Sequence, residues 1–207
     1  MKNRIPGLQR MAPMLVLACA LLAAGAHAAR VEPAYVGTPR CKVCHDSENI
    51  GNQYRIWALS PHSKAYQILA GERGKAVAAR NGVENAQENA ACLKCHTTGG
   101  GESGKTIPEG VGCEACHGPG SLYKDFSSHA TMGSGERPYQ KSVYRRAIAL
   151  GMKPVLGPDA VKAREKLCTA CHSIERPCAP EDGELRKRQQ LPLQAIADIP
   201  FSHPVRR

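Results

Sequence analysis

Eight of the ten cysteines in this 207-residue chain fall into four copies of one five-residue unit. The units are Cys41-Lys42-Val43-Cys44-His45, Cys92-Leu93-Lys94-Cys95-His96, Cys113-Glu114-Ala115-Cys116-His117 and Cys168-Thr169-Ala170-Cys171-His172. Two thiols three positions apart on one turn can add to the two vinyl groups along one haem edge, and the adjacent imidazole then reaches the iron from one face. Each unit therefore predicts one covalently bound haem c. Cys41, Cys44, Cys92, Cys95, Cys113, Cys116, Cys168 and Cys171 are the anchors, and His45, His96, His117 and His172 are iron ligands. Chance assembly from 10 Cys and 8 His yields about 0.02 such units. Zinc sites and redox dithiols also use C-x-x-C, but neither requires a His after every second Cys.

A c-type haem iron usually takes a second ligand from elsewhere, His or Met. Three histidines outside the units can serve, His62, His129 and His203, while His27 falls in the N-terminal leader described below. Four bis-histidine haems need eight imidazoles and the chain beyond the leader holds seven. At least one haem must then use another ligand, such as Met132 or Met152, bind water, or stay open. Cys178 is read as a free thiol or an intermolecular link and not as a ligand.

These units need an exporting, haem-cored chain around them. Residues 1–28 read as a signal peptide: Lys2, Arg4 and Arg10 are basic, the run 11–24 is apolar, and Ala26-His27-Ala28 is an A-x-A cleavage site. The run is too short for a membrane span. Val16-Leu17-Ala18-Cys19 is a loose lipobox, so lipid anchoring at Cys19 is the competing reading. Export to the periplasm fits covalent haem attachment, which in bacteria takes place outside the cytoplasm. Residues 29–207 then form a single tetrahaem domain, with 173–207 as an extended tail. With one Trp, six Tyr and two Phe in the whole chain, the macrocycles must supply most of the core, and the haem-free chain is expected to be largely unfolded.

The formal charge of +10 suggests a polyanion partner, but the leader carries three of those charges. Eight propionates and four ferric centres bring the remainder to about +3. Nucleic acid is therefore not an expected partner. The clusters Tyr144-Arg145-Arg146, Arg186-Lys187-Arg188 and Arg206-Arg207 read as solvated faces or propionate partners before docking surfaces.

The expected fold class is mainly α with much irregular structure and no sizeable sheet. Residues 29–40 should be an irregular arm; a helix follows with Tyr54, Trp57 and Leu59. Ser60-Pro61 should open another, ended by Gly71, with His62 in its first turn. Segments 74–81, 84–95, 138–151 and 158–172 read as helices, with one more around 183–190 in the proline-rich tail. The stretch from Gly99 to Thr106 fits G-x-x-x-x-G-K-[ST], but without a strand before it and with Pro108 and Gly110 after it, it reads as a flexible loop. The glycines around the third unit should let backbone approach a porphyrin face, and Pro119 should stop its helix.

These residues resemble the tetrahaem cytochrome c-554 family, an electron acceptor of hydroxylamine oxidoreductase. The most specific carrier is GVGCEACHGPG, residues 110–120; Trp57, His62-Ser63-Lys64-Ala65, three units in similar order and spacing, and His129 support it. The resemblance covers about residues 35–172. It implies three bis-histidine haems with His62, His129 and His203 as distal ligands, an open haem on His96, and redox partners such as a hydroxylamine-oxidoreductase-like donor and a quinone- or oxidase-linked acceptor. Four haems on a small chain point to electron relay and not to an enzyme. The rivals are a reductase of a small ligand such as nitric oxide at an open iron, and a protomer of a haem filament.

Overall fold

The computed structural model describes residues 31–129, 142–157, 160–173 and 178. All of these except Val31 and Glu32 belong to the unit that begins at Pro33. The described residues are helical or irregular and include no strand, as the sequence predicts. No described helix is long and apolar enough to cross a membrane. The leader with Cys19, the stretch holding Met132 and the tail holding His203 and residues 183–190 lie outside the described residues.

Helix α1 (Thr38–His45) carries the first unit and begins inside the expected irregular arm. Two features start it there. Gly37 adopts φ 88°, and Pro39 sits in the first turn, where its missing N–H costs nothing. The Glu109 carboxylate then accepts from the Thr38 N–H (2.8 Å) and from its hydroxyl (2.6 Å). This cap comes from 71 residues away, which local sequence does not announce.

Helix α2 (Gln53–Ala58) follows with Tyr54 and Trp57. The single helix expected after Ser60-Pro61 is instead two 3-10 turns, Pro61–Lys64 and Gln67–Ala70, closed by Gly71. Ser63 explains part of the difference, because its hydroxyl donates to Ala58 O and Ser60 O, both at 2.9 Å, and tightens the turn. The His62 carbonyl accepts from Ala65 N–H in a 3-10 bond and also from Val111 N–H at 3.0 Å. His62 does occupy the first turn.

Helix α3 (Glu72–Arg80) matches expectation, whereas α4 (Ala90–His96) starts six residues later than the predicted 84. Asn85 accepts from Gln87 N–H at 3.0 Å and Asn89 accepts from Ala91 N–H at 3.0 Å. Each asparagine offers the backbone a turn in place of helix, and Asn89 is the cap. Leu69, Ala78, Ala86 and Leu93 form an apolar cluster with Tyr66, Val83 and Cys92 against it, so α4 delivers the second unit from a packed base.

The Gly99-to-Thr106 segment has no strand before it, but it is more than a flexible loop. Thr98 and Thr106 are buried, and Gly99 and Gly100 take positive φ (62° and 67°). Helix α5 (Cys113–His117) carries the third unit. After it come α6 (Phe126–His129), α7 (Ser142–Ala149) and α8 (Val161–Thr169). The Tyr144 hydroxyl on α7 accepts from Leu156 N–H at 3.1 Å, and buried Arg164 on α8 donates to Val155 O (3.0 Å) and Gly157 O (2.9 Å). The loop between the two helices is thus pinned from both sides. The fourth unit straddles the end of α8, where Cys171 N–H and His172 N–H both turn back to Cys168 O.

The segment 110–120 is the crossing point of these elements. Gly110 has φ 69°, and a Cβ there would stand 2.6 Å from His62 O; a Cβ at Gly112 would stand 2.7 Å from the Thr38 hydroxyl. A Cβ at Gly118, at φ 84°, would stand 2.5 Å from Gly151 O. Among the described residues, the close approach that these glycines allow is to backbone and to a threonine. Inside α5, buried Glu114 accepts from Val36 N–H (3.0 Å), Gly37 N–H (2.8 Å) and Gly120 N–H (2.6 Å).

Two substitutions test this crossing. Gly110→Ala meets both a left-handed backbone and the His62 carbonyl, and should cost on the order of 2 kcal/mol or more; Gly104→Ala, which meets nothing within 4 Å, should be near neutral. Glu114→Gln replaces two acceptor oxygens by one and turns an N–H toward N–H groups. The expected loss is on the order of 3 kcal/mol, read as a lower chemical-denaturation midpoint of the holoprotein with haem content unchanged.

Candidate haem-binding site

Each fully described C-x-x-C-H unit presents both cysteines and its histidine on about one turn. In three of the four the unit forms the last turn of α1, α4 or the whole of α5; in the fourth it runs from α8 into the following turn. A short helix is the conformation that aims three such side chains at one edge and one face of a macrocycle.

The imidazoles are oriented by their second nitrogen. His45 Nδ1 faces Gln53 Oε1 at 3.2 Å, His96 Nδ1 faces Ala65 O at 2.7 Å, and His129 Nδ1 faces Asp125 O at 3.2 Å. Each partner is an acceptor, so Nδ1 carries the proton and Nε2 keeps the lone pair a metal needs. Burial pushes the His45 imidazole down from its ordinary range, with the Gln53 bond opposing and His129 adding to the fall. Burial alone lowers His62. Both shifts favour the neutral ring, the form that ligates.

Two unit histidines face histidines from elsewhere in the chain. The His45 and His129 rings are stacked with centroids 6.0 Å apart, and the His62 and His172 rings meet edge to face at 5.9 Å. A metal held at about 2 Å from each of two ring nitrogens, with each centroid about 1.1 Å further out, spaces the centroids by about 6 Å. The centroid spacing of both pairs is that of two imidazoles with an iron between them. Tyr123 braces the first pair: its ring lies 6.1 Å from His129, and its hydroxyl donates to Gly118 O at 2.7 Å, beside the third unit.

The thiols of separate units also approach one another. Cys41 of the first unit hydrogen-bonds Cys113 of the third, which raises Cys41 and lowers Cys113. Cys95 of the second bonds Cys171 of the fourth; that bond raises Cys95 and brings Cys171 to about 7. Cys116 is raised chiefly by burial and next by Cys168. Units one and three, two and four, and three and four are thus neighbours. Among the described residues, no three His, Cys, Asp or Glu side chains converge as ligands of a single metal ion.

Lys153 ties the third unit to the chain after α7: its N–H bonds His117 O at 2.8 Å and its ammonium donates to Ala115 O at 2.9 Å. Met152 lies in the same turn, with its N–H on Ala147 O. The His96 imidazole is raised from its ordinary range chiefly by hydrogen bonding to the Cys178 thiol, against burial. Exposed Val43, Leu59 and Ile68 are apolar surface of the kind a macrocycle covers.

Residues 40–118 match the family described as cytochrome c554 and c-prime, a stretch that takes in the first three units and the whole crossing from Gly110 to Gly118. Cytochrome c-554 of Nitrosomonas europaea is 26% identical over 174 residues, an alignment covering 76% of this chain and 68% of that protein. No solved structure matches the chain. The likeness first read from GVGCEACHGPG is thereby borne out: residues 40–118 are similar to the cytochrome c554 and c-prime family, and most of the chain is similar to a cytochrome c-554.

Proposed function

We propose that this chain is an exported tetrahaem cytochrome that relays electrons between redox partners through closely packed haems. The observation that carries the reading is the meeting of two unit imidazoles with the spare imidazoles His129 and His62. Bound haem supplies a one-electron iron couple.

The chain's own contribution is attachment, ligation and spacing. Cys41, Cys44, Cys92, Cys95, Cys113, Cys116, Cys168 and Cys171 anchor the four macrocycles, and His45, His96, His117 and His172 take one axial position each. His129 completes the site of His45, and His62 that of His172. With the haem on His96 left open, as the resemblance implies, His203 is the ligand left for the haem on His117. Cofactors held at both axial positions by imidazole change little in geometry on gaining an electron, which suits relay over substrate chemistry. The thiol contacts support a sequence of neighbours running from the first unit to the third, the fourth and the second.

Residues 1–28 act in this reading as a signal peptide that sends residues 29–207 to the periplasm as one domain with 173–207 as its tail. The partners are redox proteins, with a hydroxylamine-oxidoreductase-like donor and a quinone- or oxidase-linked acceptor as the classes to try first.

Protein purified from a host with haem-maturation machinery should weigh more than its polypeptide by four macrocycles. His129→Ala and His62→Ala should each convert one low-spin ferric haem to high-spin in electron paramagnetic resonance, leaving the covalent haem count at four. A mass equal to bare polypeptide in a folded protein, or spectra indifferent to both substitutions, would sink the assignment.

A further inference from the structure

Of the three oxygens that face an imidazole Nδ1 above, only one belongs to a side chain. His96 and His129 face the backbone carbonyls of Ala65 and Asp125, which no substitution removes; His45 faces Gln53 Oε1 at 3.2 Å. The amide is oriented from its other end. Gln53 Nε2 donates to Ile50 O, so the oxygen is the end turned to the ring, and a flipped amide would set oxygen against oxygen at Ile50. The chain between the two residues is shaped for this return. The Ser47 hydroxyl accepts from Asn49 N–H at 3.3 Å and its carbonyl from Asn52 N–H at 2.9 Å, and the 3-10 turn Glu48–Ile50 closes at Gly51 with φ 104°. Asn52 then takes φ 57°, the only residue other than glycine in the left-handed region among the described residues. Asparagine enters that region more readily than most residues, though at some cost in backbone strain. Helix α2 therefore opens on a half-buried Gln53 that reaches back to His45, eight positions earlier.

We infer that Gln53 is the positioning residue that sets the reduction potential of the haem on Cys41, Cys44 and His45, by presenting a neutral acceptor to the Nδ1 proton of its ligand. This rests on the tetrahaem reading above. The more strongly an acceptor draws the Nδ1 proton, the better Nε2 donates to iron. Ferric iron, with the higher charge, gains more from a stronger donor than ferrous iron does, so a stronger acceptor lowers the potential and a missing one raises it. A glutamine oxygen lies between those limits: a carboxylate in its place would draw the proton further, and a hydrocarbon would not draw it at all. The same bond fixes the rotation of the ring about Cβ–Cγ. With Gln53 on His45 and Asp125 O on His129, the two ring planes stand 23° apart, against 69° for His62 and His172.

The test is a redox titration of the holoprotein followed by paramagnetic resonance, with the haem count taken by mass on each sample. The low-spin ferric signal that disappears in His129→Ala marks the haem of the first unit. Gln53→Glu should keep that signal ferric to lower potential, changing its ferric-to-ferrous ratio about tenfold at a fixed applied potential, which is about 59 mV for one electron. Gln53→Leu should move it the other way and broaden the signal, because the ring is no longer held. The leucine adds no charge, so its shift does not come from a through-space field, and damage to the fold would not send the two variants in opposite directions. Four bound haems with the marked signal titrating alike in wild type and both variants, or moving the same way in both, would overturn the inference and leave the tetrahaem reading standing. A His129→Ala protein that keeps every low-spin signal, or a wild type with fewer than four haems, would overturn that reading and this inference with it.

Discussion

The carboxylate of Glu114 is the interaction on which the described structure most depends. It lies inside a five-residue helix, too short to be stable in isolation, and it is buried while bonded to backbone N–H groups of Val36, Gly37 and Gly120. One side chain therefore holds the arm that enters α1, the turn that leaves α5, and the helix that carries the third unit. Glu109 repeats the device on Thr38. A chain with so few large apolar residues cannot rely on packing to fix its loops, and buried acids that gather backbone donors do that work at small volume. The same economy appears at Arg164, which gathers carbonyls in the loop between α7 and α8.

The orientation of the imidazoles follows a common plan. His45, His96 and His129 each surrender Nδ1 to a neutral oxygen, from a glutamine, from one backbone carbonyl and from another. Neutral acceptors fix the ring and its tautomer without pushing it toward imidazolate, whereas a carboxylate in that place would increase ligand basicity. The His45 and His129 rings then lie near one another, with centroids 6.0 Å apart. Tyr123 links that pair to Gly118, so the first and third units share a support as well as a thiol contact.

The chemistry was far more legible than the geometry. The four units, the spare histidines His62 and His129 and the all-helical class could be read because each is a matter of residue type and local spacing. Which imidazole faces which could not, since His62 lies between the first two units in sequence and meets the fourth. Helix ends were misread where side chains compete with the backbone: Ser63 at the Pro61 turn and Asn89 ahead of α4. The glycines of GVGCEACHGPG are legible as places of close approach, but their protein neighbours are not, because only the fold brings His62 O, the Thr38 hydroxyl and Gly151 O to them.

The meeting of His62 with His172 joins residues 110 positions apart, and His62 is at the same time hung by its carbonyl on Val111. Such pairings raise the contact order of the chain and slow its folding relative to a bundle of local hairpins. His62 must therefore wait, undocked, until the fourth unit is in place, and no fragment ending before that unit can close the pair.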